Sequence, residues 1–255
     1  TPFMSHISYN PFLAFAIYLL LHEVFFNTSI NSMARFIYSF FAITMSINMF
    51  ITGGRAGQVV FFVMIILLFF QYYQKKLLAL IVSTVVVVGI FFSAYQSSEI
   101  FQQRVDQAIN EASDPNLWKG VNTSIGERFV FAMNSWEIFK ESPLIGIGTG
   151  DFPNEYKKVK ALNTPNSLDT VNPHNMYILV LTQLGVLGLI SLLSIFYFQV
   201  QFAKENKSIF LKNTGIALPI LFLVIMLSDS YLLGHFTTFL FVFFSSFLYK
   251  DFASK

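Results

Sequence analysis

The sequence predicts an all-α, polytopic transmembrane helix bundle of about seven spans, with one large loop domain on the outer side of the membrane. Of the 255 residues, 55% are hydrophobic and only 12% are charged, whereas an ordinary soluble domain carries roughly 25% charged residues. Seven apolar runs are long enough, or nearly long enough, to cross a hydrocarbon layer of about 30 Å at roughly 1.5 Å per helical residue. A single large polar segment, residues 96–172, interrupts these runs.

The predicted spans form two groups on either side of this segment. Residues 1–95 contain the runs 11–26, 34–51, 56–73 and 77–95, and residues 173–255 contain the runs 175–199, 214–231 and 235–249. The last run is short. We therefore expect four transmembrane helices, then the large loop, then three more helices.

Lysines in the short connections predict the orientation of the bundle. If the helices alternate, these lysines all fall on one side, and an excess of positive charge in short loops marks the cytoplasmic side. They are Lys75, Lys76, Lys204, Lys207, Lys212, Lys250 and Lys255. The turn Thr52–Gly57, the large loop, His174 and His235 then share the outer face. His22 and Glu23 fall near the inner end of the first span, where we expect cytoplasmic head groups. Alternation also puts Thr1 outside, and with no signal peptide at this end we expect further spans to precede the chain.

Composition narrows the function classes. The net charge of +2 is too small and too scattered to predict nucleic-acid binding. The chain has no cysteine, which removes disulfides, thiolate metal sites and cysteine nucleophiles. No histidine or carboxylate pair has the spacing of metal ligands, so we expect no metal site.

Within the large loop, Ser124-Ile-Gly-Glu127 matches a capping box and predicts a helix over about 124–141. Apolar residues then recur every three or four positions, which predicts a stripe that lies on the membrane surface or packs onto the bundle. The stripe consists of Ile125, Phe129, Ala132, Trp136 and Phe139. Arg128 lies beside this stripe, and Pro143 is expected to end the helix.

Three alternating glycines follow, at positions 146, 148 and 150. Their spacing differs from a nucleotide-binding loop, and no buried strand precedes them. We expect them to allow a tight turn or a close approach to a ligand. The remainder of the loop, 157–172, is polar and is predicted to be a flap.

His174 stands where the polar segment meets the fifth apolar run. Pro173 suits the first turn of a helix and Asn172 can cap it, which predicts that His174 lies within that first turn. Such a helix end favours anions and the neutral form of an imidazole. The sequence therefore predicts a base beside an anion site, although a simple helix start at the membrane surface remains open.

Two arginines share the predicted face. The short turn holds Arg55 at the outer surface, where its planar guanidinium suits phosphate oxygens; snorkelling to lipid head groups is the alternative. Arg128 has a surface ion pair with Glu127 or Glu137 as its alternative. Because both arginines and His174 lie on one face, we expect them to serve one site that removes a group from a lipid-linked pyrophosphate.

These motifs, taken in order, resemble the O-antigen ligase and polymerase superfamily. The resemblance rests on Gly54-Arg-Ala-Gly57, Arg128 and Trp136, Pro143-Leu-Ile-Gly-Ile-Gly-Thr-Gly150, Pro173-His-Asn-Met-Tyr177 and Leu184-Gly-Val-Leu-Gly188. The opening Thr1-Pro-Phe-Met-Ser-His-Ile7 looks like the ligase branch. The set runs through nearly all of the chain.

The resemblance implies a GT-C-type glycosyltransferase of the bacterial inner membrane, with its site facing the periplasm and with no metal or other cofactor. It implies an undecaprenyl-pyrophosphate-linked glycan as donor and lipid A-core as acceptor, with membrane lipids around the bundle. His174 maps onto the proposed base, and Arg55 and Arg128 onto pyrophosphate contacts. Asn175 is placed with the substrate-binding residues. Asp229, facing either His235 or the site, is a possible supporting group, as is His235.

Other functions remain open. Within the superfamily the alternatives are an O-antigen polymerase, acting on another glycan, and a protein O-oligosaccharyltransferase, and only the acceptor separates them. A flippase or transporter of lipid-linked sugars is disfavoured because the middle of each span is nearly free of ionisable residues. A purely structural membrane protein leaves the glycine-rich segment beside a capped helix unexplained.

Overall fold

A computed structural model describes residues 4–113 and 123–250. Within these residues all regular secondary structure is helical. The helices are α1 (His6–Phe26), α2 (Ser32–Thr52), α3 (Arg55–Tyr72), α4 (Lys76–Ser97), α5 (Glu99–Ser113), α6 (Ser124–Glu141), α7 (Phe152–Asn163), α8 (Met176–Glu205), α9 (Ile209–Ile225) and α10 (His235–Leu248). Thr1–Phe3 of the opening motif, the side chain of His6, and Lys255 lie outside the described part.

The predicted polytopic helical architecture is confirmed. Among the helices of the described residues, five are long and apolar enough to cross a membrane, namely α1 to α4 and α8. The last two predicted runs are apolar helices of 17 and 14 residues. The sixth run begins earlier and ends earlier than predicted, because α9 stops at Ile225 and residues 226–234 form turns rather than helix.

The chain divides into two compact units. We call Thr1–Arg104, Phe198–Ile225 and Gly234–Lys255 the bundle unit, and Val105–Tyr197 with Met226–Leu233 the loop unit. The loop unit is thus larger than the predicted 96–172 segment, because it includes most of α8 and the turns after α9.

In the bundle unit, α1 packs against α2, α3, α9 and α10. Its C-terminal half carries a buried polar network that links three helices: Tyr18 donates to Gln71 at 2.8 Å, and Gln71 donates to the backbone carbonyl of Asn213 at 3.1 Å. His22 is only 2% exposed and its Nε2 lies 3.1 Å from the Asn213 amide. The ring of His22 therefore packs inside the bundle, where a partner on a neighbouring helix lets it avoid lipid, and its depth near the head groups stays a prediction.

In the loop unit, α6 and α7 pack together around a buried amide. Asn134 donates to the Tyr156 hydroxyl at 3.2 Å and to the Thr164 hydroxyl at 2.7 Å, and the ring of Phe131 meets that of Tyr156 edge to face. Because α7 extends to Asn163, the first part of the predicted flap at 157–172 is helical.

The stripe predicted on α6 is not the buried face of this helix, and its place on the membrane surface stays a prediction. Phe129 and Trp136 are 49% and 53% exposed, whereas the buried face contains Gly126, Val130, Phe131, Asn134, Ser135 and Ile138. Hydrophobic spacing alone selected the other face, because it gave no weight to polar residues whose partners come from α7.

Helix α8 is broken at Gly185, which has φ 64°. In an unbroken helix the amides of Val186 and Leu187 would bond to the carbonyls of Thr182 and Gln183. Here these amides bond instead to the carbonyls of Pro143 and Leu144, at 2.9 and 3.2 Å. The two carbonyls of α8 accept from the amides of Ile147 and Gly148, at 3.1 and 3.0 Å.

The segment after α6 thus replaces the hydrogen bonds that the break removes, as a non-helical backbone within an apolar span requires. A Cβ at Gly146 would lie 2.2 Å from the Gln183 backbone, and one at Gly185 would lie 2.3 Å from that of Leu144. Gly146 and Gly185 thus allow a close approach between two backbone segments. As predicted, α6 ends just before Pro143, with Ser142 as its C-cap.

Candidate functional site

His174 lies in the loop unit, immediately before α8. The helix begins at Met176, and the Oδ1 atom of Asn175 caps it by accepting from the amides of Tyr177 and Ile178 at 3.0 and 3.1 Å. The prediction that His174 lies within the first helical turn was therefore wrong. Asn175 rather than Asn172 is the cap, and His174 precedes it with a left-handed backbone, φ 51°.

Asn172 supports this unusual conformation. Its Oδ1 atom accepts from the amide of His174 at 2.6 Å and from the hydroxyl of Ser230 at 3.1 Å. A left-handed backbone costs energy at a residue with a Cβ and persists where the surroundings determine it. The hydrogen bond from the His174 amide to the Asn172 side chain stabilises this backbone conformation. The same side chain also links residues 172–174 to the turn after α9.

The turn after α9, residues 226–231, forms the opposite wall of the site. The amide of Met176 donates to the carbonyl of Met226 at 2.9 Å, and the side-chain amide of Asn175 donates to the carbonyl of Leu227 at 3.0 Å. Both polar atoms of the Asn175 side chain are therefore used, one to cap α8 and one to hold this turn.

Asp229 lies on that turn and pairs with His174. The Nδ1 atom of His174 is 3.2 Å from Oδ1 of Asp229, and their side chains are 39% and 21% exposed. Of the two predicted directions for Asp229, the structure therefore gives the one toward His174. A carboxylate at Nδ1 favours the tautomer that carries its proton there, which leaves Nε2 as an acceptor.

The pKa of Asp229 reflects opposing effects. Burial raises it, but hydrogen bonds from His174 and from the Ser230 amide, together with electrostatic attraction to His174 and Arg128, outweigh burial and hold the pKa below its usual value. The Ser230 amide lies 2.7 Å from Oδ1. Asp229 is therefore an anion at neutral pH and can keep the imidazole in one orientation.

Helix α6 supplies the third side of the site. The ring of Phe131 stacks on that of His174 with centroids 5.8 Å apart. Arg128 is exposed, and its guanidinium donates to the carbonyl of Ser124 at 3.2 Å. Its charge also lowers the pKa of Tyr231, although burial dominates there and raises that pKa to about 12. Arg128, Asp229 and His174 thus belong to one electrostatic environment.

Arg55 and His235 belong to the bundle unit. Arg55 is the first residue of α3, is half-buried, and follows two glycines with φ 72° and 98°. His235 is exposed at the start of α10. Their approach to His174 stays a prediction.

The sequence analysis did not identify several residues that surround His174 and Asp229. Phe131, Ser230 and Tyr231 are distant from His174 in sequence, and no motif marked them. Asn172 was noticed, but as a helix cap. Among residues 4–113 and 123–250, no group of three His, Asp or Glu side chains is arranged to hold a metal ion.

The geometry supports proton transfer at an anionic substrate. A carboxylate-oriented imidazole can accept a proton at Nε2, and Arg128 supplies positive charge in the same unit. These groups stand at the start of an apolar helix long enough to span a membrane, which suits a substrate anchored in lipid.

Comparison with known families identifies the family of the chain. The sequence profile of a family described as O-Antigen ligase matches residues 40–193, which is more than half of the chain and includes Arg55, Arg128 and His174. No match was found among curated proteins. The chain is a multi-pass helical membrane protein and belongs to the O-antigen ligase family, whose membrane enzymes have glycosyltransferase-like ligase activity.

Proposed function

We propose that the protein is an O-antigen ligase of the bacterial inner membrane. In this proposal it transfers a glycan from undecaprenyl pyrophosphate to a sugar hydroxyl of lipid A-core on the periplasmic face. The observation that carries the proposal is the His174–Asp229 pair, 3.2 Å apart, in front of a membrane-spanning helix in a chain of this family.

His174 acts as the general base. Asp229 accepts the Nδ1 proton in a hydrogen bond, and Nε2 removes the proton from the acceptor hydroxyl as its oxygen attacks the anomeric carbon of the glycan. The new glycosidic bond forms while the bond to pyrophosphate breaks, and the leaving undecaprenyl pyrophosphate takes the bonding electrons. The imidazolium then returns its proton to water.

The arginines stabilise the leaving group. Guanidinium groups bind phosphate oxygens through paired hydrogen bonds, and they act most strongly where charge develops in the transition state. We assign Arg128 to the pyrophosphate beside the base, because its positive charge helps to lower the pKa of Asp229, the partner of His174. We assign Arg55 to the same pyrophosphate from the bundle unit, and His235 to a supporting place on the same face.

For Asn175, positioning is a better assignment than direct substrate contact. Its side chain caps α8 through the amides of Tyr177 and Ile178 and donates to Leu227. It therefore contributes by holding the His174 segment against the turn that carries Asp229.

A reconstituted transfer assay tests the function. The purified protein is mixed with a radiolabelled undecaprenyl-pyrophosphate-linked glycan and lipid A-core, with and without a chelator. We expect label on lipid A-core, release of undecaprenyl pyrophosphate, and no effect of the chelator.

The same assay distinguishes the alternatives. Label in longer lipid-linked chains identifies a polymerase, and label on an added protein acceptor identifies a protein glycosyltransferase. Movement of the labelled donor across a liposome membrane without any acceptor, and with no transfer when one is added, identifies a flippase and contradicts the proposal.

A further inference from the structure

The turn that presents Arg55 is held by one buried side chain of α1. Asn10 lies in a membrane-spanning helix and is 0% exposed. A polar side chain in such a place is costly unless it is fully bonded or serves a function. Its partners are therefore informative.

Both ends of the Asn10 amide bond to the turn before α3. The Nδ2 atom donates to the carbonyl of Gly53 at 2.5 Å and to that of Gly54 at 3.4 Å, and Oδ1 accepts from the hydroxyl of Thr52 at 3.3 Å. The Gly54 carbonyl belongs to the peptide that contains the amide nitrogen of Arg55. Asn10 thus fixes the backbone on which the guanidinium is carried.

The first turn of α3 is packed directly against the same side chain. A Cβ at Gly57 would lie only 2.1 Å from the Cβ of Asn10, so glycine is required for this approach. Gly53 and Gly54 have φ 72° and 98°. Because glycine has no Cβ, these two residues could adopt many other backbone conformations. An external hydrogen-bond donor is what selects one conformation.

We propose that Asn10 is a positioning residue for pyrophosphate binding, which acts by fixing the Thr52–Gly54 turn and thereby the direction of Arg55. This inference rests on the proposed function of Arg55. A role in bundle packing alone would make Asn10 important for stability but not for the donor.

The test compares Asn10→Leu with Asn213→Leu in the full chain. Leucine keeps most of the volume of asparagine but removes its hydrogen bonds. Asn213 is a matched control, since it is also buried and hydrogen-bonded in the bundle unit but belongs to the network of His22. Donor KM, acceptor KM, kcat and thermal stability are measured for each variant, together with binding of undecaprenyl pyrophosphate itself.

We expect Asn10→Leu to raise the donor KM about tenfold, as the loss of a few hydrogen bonds allows, with little change in acceptor KM. Asn213→Leu should leave the donor KM unchanged whatever it does to stability. An unchanged donor KM in Asn10→Leu, or equal increases in both variants, would overturn the inference.

A double-mutant cycle separates this inference from the function on which it rests. If Asn10 acts through Arg55, Asn10→Leu should have no further effect on undecaprenyl pyrophosphate binding in an Arg55→Ala background. If Asn10→Leu still weakens binding about tenfold in the Arg55→Ala background, the positioning role of Asn10 is contradicted, but the assignment of Arg55 is not. Normal binding by Arg55→Ala contradicts the assignment of Arg55 itself.

Discussion

At the scale of single residues, two asparagines beside His174 have different tasks. Asn172 holds the left-handed backbone of His174 through its amide, and Asn175 caps α8 and binds the opposite turn. Pro173 lies between His174 and Asn172 and restricts the conformations available to this segment. The imidazole is thus oriented by its backbone, by the Phe131 ring and by Asp229 together.

Replacing Asp229 with asparagine should reduce kcat. The amide can donate to Nδ1 and so favour the tautomer that carries its proton at Nε2, where it cannot act as a base. We expect a loss of about 10²- to 10⁴-fold in kcat, with donor KM little changed. The matched control is Asp169→Asn, the same change at an exposed carboxylate of the loop unit that pairs with Lys160. A kcat for Asp229→Asn within twofold of wild type would contradict the pairing role.

The pKa of Asp229 also predicts a pH dependence of stability. Because the folded protein holds this pKa below its usual value, ionised Asp229 contributes stability above the usual aspartate pKa of about 4, and the contribution is lost as the pH falls through the lower, folded-state pKa. Melting temperatures of wild type and Asp229→Asn should therefore differ above about pH 5 and converge below about pH 4. Convergence already between pH 7 and 5 would indicate a raised pKa instead.

At the scale of elements, the broken α8 links the glycine-rich segment to the site. The segment after α6 restores the hydrogen bonds lost at Gly185, and the first half of α8 leads back to Asn175 and His174. The same contacts therefore hold α6, with Arg128 and Phe131, to the helix that follows the base. Glycine at 146 and 185 is a requirement of this backbone pairing.

Gly185→Ala should destabilise the protein and reduce transfer. Alanine is strained at φ 64°, and its Cβ would lie 2.3 Å from the Leu144 backbone. We expect the melting temperature to fall by about 5 °C or more. Gly89→Ala is the matched control, since a Cβ there meets no atom of the described residues within 4 Å and alanine favours the helix. Equal melting temperatures for the two variants would contradict the pairing.

Sequence patterns predicted some elements well and others poorly. The long apolar runs and the extent of α6 were predicted because they depend on local composition and on neighbouring residues. The predicted cap of α6 was wrong by one residue, because the hydroxyl of Thr123, rather than that of Ser124, accepts from the Gly126 amide. The buried face of α6 was not, because Asn134 is buried by partners on α7 that hydrophobic spacing cannot identify. The helix start at Met176 was missed because two asparagines compete for the cap, and only the contacts with residues 226–230 decide between them.

At the scale of the whole molecule, composition predicted the helical membrane bundle, which the structure confirms. The orientation predicted from the lysines stays a prediction. The two compact units could not be predicted, because the loop unit takes up most of α8 and a turn that is distant in sequence. Asp229 can pair with His174 because its turn belongs to the loop unit. The two residues are 55 positions apart, so no local sequence pattern indicates the pair. Apolar runs identify spans but not which turns meet outside them.

The orientation can be tested with introduced cysteines, since the natural chain has none. Lys157 and Lys207 are both exposed, and they lie on opposite sides of the membrane in the predicted topology. We expect a membrane-impermeant maleimide to label Lys157→Cys in intact spheroplasts and Lys207→Cys only after lysis. The unmodified chain serves as the unlabelled control, and labelling in the reverse order would put the site on the cytoplasmic face.

The most direct test of the central claim is the rate of glycan transfer by His174→Ala at saturating donor and acceptor. If His174 is the base, kcat should fall by at least about 10²-fold, while binding of undecaprenyl pyrophosphate, which depends on the arginines, stays close to that of wild type. A transfer rate near that of wild type, with the variant folded and the donor bound, would contradict the account.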